Sequence, residues 1–104
     1  MTDDWKPITE AELQLRLMEE ERLLSTVELQ RYETWKVSLG TRGTVANFNT
    51  DGVELVHIVA RRGRRVVFFD DAEDEFAGGD IDDEAIISAP RLYGDLRNAL
   101  HSLG

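Results

Sequence analysis

Cysteine is absent from the chain. That excludes disulfides, thiolate-held zinc and a cysteine nucleophile together, and it accords with a reducing compartment. Long hydrophobic runs are missing as well: the longest reach about four residues, where a membrane-spanning helix needs about 20. The opening Met1-Thr2-Asp3-Asp4 is acidic and lacks the basic-then-apolar order of a secretory signal. The expectation is a cytoplasmic protein with no membrane partner. Positive charge is scarce, with 12 Lys and Arg against 21 Asp and Glu and a net charge of -9. Such a surface repels nucleic acid and anionic lipid, so neither is expected to bind. It favours solubility, or a basic protein partner.

What is present suffices for one domain. A chain of 104 residues with 41% hydrophobic content can bury one modest core, so residues 1–104 are read as a single domain. Thr9-Glu10-Ala11-Glu12 has capping-box spacing, preceded by Pro7 and by Ile8, placed to staple against Leu13. Leu13, Leu17, Leu24 and Val27 then fall on one helical stripe, while Leu15, Met18 and Leu29 fall nearly opposite. A second capping box, Ser25-Thr26-Val27-Glu28, favours a break, giving helices over about 9–24 and 26–36. A continuous helix would leave its second stripe as spare apolar surface, suited to a homodimer or a partner.

Further on, Trp35-Lys36-Val37-Ser38-Leu39 alternates as a first strand would, and residues 44–48 read as a second. Asn49-Thr50-Asp51-Gly52 reads as a turn. A hairpin follows over 53–60 and 65–70, its tip formed by Arg61-Arg62-Gly63-Arg64-Arg65. Residues 70–80 read as an acidic loop containing Gly78-Gly79. Residues 81–89 fit either an edge strand or a short helix, interrupted by Pro90, and a C-terminal helix begins near Leu92. The fold class is therefore α+β: an N-terminal helical pair, an antiparallel sheet of three to four strands and a C-terminal helix, with helices largely on one face.

Function is less constrained. From Asp70 to Glu84, nine of fifteen residues are Asp or Glu and none is basic. Like-charge crowding opposes folding, which invites a functional reading. A calcium loop through Asp71, Glu73 and Glu75 fails, because Phe76 stands where the sharp-turn glycine belongs and Asp82 where the bidentate Glu belongs. Carboxylate pairs for hydrolysis lack a nucleophile and an orienting group, so no catalytic residue is assigned and the chain is read as no enzyme. His57 and His101 lack metal-ligand spacing and read as half-buried packing residues; no metal or cofactor is expected. Gly40-Thr41-Arg42-Gly43-Thr44 lacks the lysine of a P-loop and reads as a turn. The arginines at the hairpin tip are expected to pair with nearby carboxylates. The remaining reading is a non-catalytic interaction domain of immunity or inhibitor type. It would dock on a basic protein through Asp70, Asp71, Glu73, Asp74, Glu75, Asp80, Asp82, Asp83 and Glu84, with Phe76 as an exposed apolar anchor. The alternative is a homo-oligomeric scaffold or adaptor.

Trp35-Lys36-Val37, followed by Val59-Ala60, Gly63-Arg64-Arg65-Val66, Phe68-Phe69, Asp71, Glu73 and Phe76, resembles the pattern of a family of small uncharacterised bacterial α+β proteins. The helical pair before Trp35 and a short helix after Pro90 extend the likeness over about residues 10–100. The chain departs from that pattern at Gly78 to Asp80, where more polar and aromatic residues are expected. The resemblance implies a bacterial α+β domain and carries no activity. The likeness to toxin-immunity proteins is one of size, charge and fold class.

Overall fold

Both capping boxes form. In the computed structural model, which describes residues 8–46, 53–71 and 73–103, the Thr9 hydroxyl accepts from the Glu12 backbone at 3.1 Å and the Glu12 carboxylate accepts from the Thr9 backbone at 3.1 Å. Helix α1 then runs Glu10–Glu21. Ser25 and Glu28 repeat the exchange at 3.2 and 2.8 Å and open helix α2, Thr26–Trp35. Two orphan N–H groups are satisfied at each start, so the chain breaks between the helices as the second box requires. Leu13 and Leu17 are buried and Leu24 is partly buried, but Val27 is exposed. The opposite stripe of Leu15, Met18 and Leu29 also faces solvent.

Five strands follow: β1 Arg42–Ala46, β2 Val53–Arg62, β3 Arg65–Asp70, β4 Glu75–Ile81 and β5 Ile86–Gly94. Helix α3, Leu96–His101, completes the chain, with the Asp95 carboxylate capping it from Asn98 N–H at 2.8 Å. Consecutive strands pair antiparallel, and β1 meets β5 in parallel at Thr44–Ile86 and Val45–Ile87, closing the sheet. The α+β class holds. The expected three- to four-stranded sheet is instead a closed five-stranded barrel.

Several local expectations are corrected. Trp35–Leu39 is no sheet strand: Trp35 ends α2, and a single bridge, Lys36 with Ala60, ties the segment to β2. Arg42 and Gly43, expected in a turn, open β1; residues 47 and 48 of the second expected strand and the turn at 49–52 lie outside the described residues. The expected 70–80 loop contains β4. Residues 82–85 form a turn and β5 passes through Pro90, accommodated by a register shift between Gly78 and Asp80 opposite Arg91 and Ser88. A bulge is one of the few places where a strand tolerates proline. Leu92 belongs to β5, so α3 starts four residues later than expected.

Burial in β3 explains the layering. Val66, Val67, Phe68 and Phe69 are all buried. Val66 and Phe68 point into the barrel with Val45, Val56, Ile58 and Ala77. Val67 and Phe69 point outward, beneath the helices, with Leu13, Leu17, Phe76 and Leu96. Closure brings backbones close enough that a Cβ at Gly79 would lie 2.6 Å from Ile87 Cγ2 and 2.9 Å from the Ser88 carbonyl. Glycine is what the tight β4–β5 contact requires. The helices are tied together by polar contacts: the Leu96 N–H donates to Glu20 at 2.9 Å, and Arg97 and His101 both reach Glu28.

Candidate interaction surfaces

Strand β4 divides the acidic stretch. Its six residue steps separate the two clusters by about 20 Å, so the carboxylates form two turns at opposite ends of the barrel.

The β3–β4 turn holds Asp70, Asp71, Glu73, Asp74 and Glu75. Much of its charge has an internal task. Asp70 accepts from the Glu73 N–H at 3.2 Å, and Asp71 accepts from the Ile8 N–H at 2.9 Å. Asp74, in the left-handed region at φ 55°, meets the Arg16 guanidinium at 3.2 Å. That guanidinium also lies over the rings of Phe69 and Phe76, at 5.4 and 6.0 Å from their centroids. Phe76 itself is fully buried and packs edge-on against Phe69 at 5.1 Å. It points beneath the helices, so it cannot be the exposed anchor that its acidic neighbours suggest.

The β4–β5 turn holds Asp80, Asp82, Asp83 and Glu84. Asp80 pairs with Arg65 at 3.5 Å. Asp82 accepts from the Glu84 and Ile86 N–H groups, both at 2.9 Å, and so shapes the turn. Asp83 and Glu84 are exposed, and their carboxylates have no ion-pair partner among the described residues. Immediately beside them lies an aliphatic row. Thr44 pairs with Leu55 on one side and Ile86 on the other; Leu55 is 61% and Ile86 45% exposed. The second cluster thus has the dense charge and apolar neighbours that docking needs, with Leu55 and Ile86 where Phe76 was expected.

Among the four tip arginines, Arg65 alone pairs with a carboxylate among the described residues. Arg61 donates to the Gly63 carbonyl at 2.7 Å; Arg62 donates to the Leu103 carbonyl at 3.0 Å and lies over the Trp35 ring. His101 is exposed and bonded to Glu28 rather than packed. His57 is buried, its Nε2 3.2 Å from the Ile8 carbonyl and its Nδ1 without a hydrogen-bond partner among the described residues. Among the described residues no group of three His, Asp or Glu is placed to hold a metal ion, and no helix is long and apolar enough to cross a membrane.

A second feature escapes sequence reading. A groove of about 400 Å³ runs between α1 and the extended segment 37–39. Leu17, Tyr32 and Val59 line its buried side, while Met18 and Leu39 form exposed lips. Burial pushes the Tyr32 hydroxyl pKa up, with Glu21 beside it adding to the shift. Lys36 at the rim is neutralised by Glu33 at 2.8 Å, a contact that also raises the ammonium pKa.

Compared with models of protein families, with curated proteins and with solved structures, the chain finds no match. Of the spare stripe Leu15, Met18 and Leu29, only Met18 lines the groove, and it is the one sequence signal of it. Its opposite wall, Val37 to Leu39, reads as a strand until the single bridge to Ala60 shows it leaving the sheet.

Proposed function

We propose that this chain is a non-catalytic interaction domain of immunity or inhibitor type, acting in the bacterial cytoplasm and docking on a basic protein. The supporting observation is the pairing of unneutralised Asp83 and Glu84 with exposed Ile86 and Leu55 on one barrel face. Carboxylates already engaged by Arg16 or by backbone N–H groups gain little from a partner's cation, whereas Asp83 and Glu84 are free to pair. A net charge of -9 would steer a cationic partner and make association fast and salt-sensitive.

The test is capture from the native host at low and then moderate salt, with the wild-type chain and the Asp83→Asn/Glu84→Gln variant side by side. The wild type is expected to retain a basic protein that elutes as salt rises, and the variant to lose it. Equal retention by both would remove this turn from the binding site. The exposed Leu15 and Met18 on α1 favour a second reading, a homo-oligomeric scaffold. A monomer at high micromolar concentration in sedimentation would dispose of that reading.

A further inference from the structure

The groove beside α1 and the acidic β4–β5 turn are close neighbours. Leu39 is four residues from Gly43, a span of at most about 15 Å. At Gly43 a Cβ would lie 3.3 Å from the Ala85 carbonyl, within the turn that carries Asp83 and Glu84. Thr44 N–H also donates to that carbonyl at 2.9 Å. The Leu39 end of the apolar slot is therefore joined by a short stretch of chain to the turn that bears the exposed carboxylates Asp83 and Glu84.

From this juxtaposition we infer that the groove receives the apolar face of a basic amphipathic helix from the partner, whose cationic residues reach Asp83 and Glu84. The inference rests on the basic-partner reading above and supplies the seat for the partner's anchor. Three features select this occupant. The lips Met18 and Leu39 are 53% and 44% exposed, so the slot is apolar and accessible. Its lining along α1 runs from Gln14 to Glu21, about two helical turns, the length over which anchors at i, i+3 and i+4 seat in a groove. Its charge is acidic: Lys36 is cancelled by Glu33, leaving Glu21 at the rim and Asp83 and Glu84 beyond it. A second copy would bring another net charge of -9 to that rim, so self-association is the poorer fit.

Methyl-labelled protein titrated with a synthetic Leu/Lys amphipathic peptide of about four helical turns tests this, with a Leu/Glu peptide of the same pattern as control. The Leu/Lys peptide is expected to shift the methyl signals of Leu17, Met18 and Leu39. Its affinity should fall about tenfold in a Met18→Gln/Leu39→Gln variant, and several-fold in Asp83→Asn/Glu84→Gln or when the salt is raised. Both pairs are exposed, so unchanged circular dichroism will certify the folds. Binding that leaves the groove methyls unmoved, equal binding of the Leu/Glu peptide, or no binding of either would overturn the inference. Concentration-dependent shifts of the same methyls without peptide would overturn it in favour of a second copy. Weakening by the carboxylate variant alone would overturn the groove while leaving the acidic docking face standing.

Discussion

His101 Nε2 lies 2.7 Å from Glu28 Oε2, joining α3 to α2 across 73 residues of chain. The same oxygen accepts from Arg97 Nε at 2.8 Å, while Oε1 accepts from the Ser25 backbone at 2.8 Å. The Ser25 N–H, then His101, then Arg97 hold the Glu28 carboxyl down at about 2. A depressed carboxyl pKa contributes stability above its unfolded value and loses it as pH falls through the folded value. The contribution of Glu28 is therefore complete above about pH 4.5 and disappears toward pH 2. Urea unfolding across that window should show a steeper acid loss for the wild type than for Glu28→Gln. Parallel pH profiles would show the cluster to be idle.

Gly79 and Gly63 should respond differently to alanine. At Gly79 the new methyl meets Ile87 and a backbone carbonyl inside 3 Å, and overpacking of this kind costs about 1–3 kcal/mol. At Gly63, φ is +61° but nothing lies within 4 Å, leaving only the left-handed backbone penalty of about 1 kcal/mol. Chemical denaturation of the two variants should rank them in that order.

Phe76→Ala should cost about 3–5 kcal/mol and Phe76→Leu much less, because the ring is buried against Phe69. A Phe76→Ala protein that kept wild-type stability would contradict its place beneath the helices.

The carboxylates of the β4–β5 turn divide by task. Asp82→Ala removes the acceptor for two backbone N–H groups and should cost about 1 kcal/mol. Asp83→Ala touches no internal contact among the described residues and should stay within about 0.5 kcal/mol of wild type. Thermal melts of the pair distinguish a turn-building acid from one available to a partner.

Legibility followed locality. Both capping boxes, the helix break and the β2–β3 hairpin are specified within a few residues, and all appear at or near their expected places. Strand β4 was illegible because Glu75-Phe76-Ala77-Gly78-Gly79-Asp80 carries loop residues for a tertiary reason: Gly79 lets β5 approach. Pro90 misled for a similar reason, since a register shift in the barrel accommodates it. Phe76 was misplaced because flanking acids report exposure of the turn and say nothing about a ring directed beneath α1. The groove was signalled by Met18 alone, since its walls come from segments about twenty residues apart.

The four apolar residues of β3 serve two chambers, and they do so in identical pairs: Val beside Val, Phe beside Phe. A slip of one residue would keep a valine and a phenylalanine facing the barrel interior, but it would carry Arg65 or Asp70 into a buried place. Polar–apolar alternation, which normally fixes strand register, is absent within the four, so the discrimination rests on the charges at either end. The length of the Gly63–Arg64 turn and the close approach of Gly78 and Gly79 opposite Val67 and Val66 act in the same sense. This strand is held in place by charged stops at its two ends, one of which any slip would have to bury.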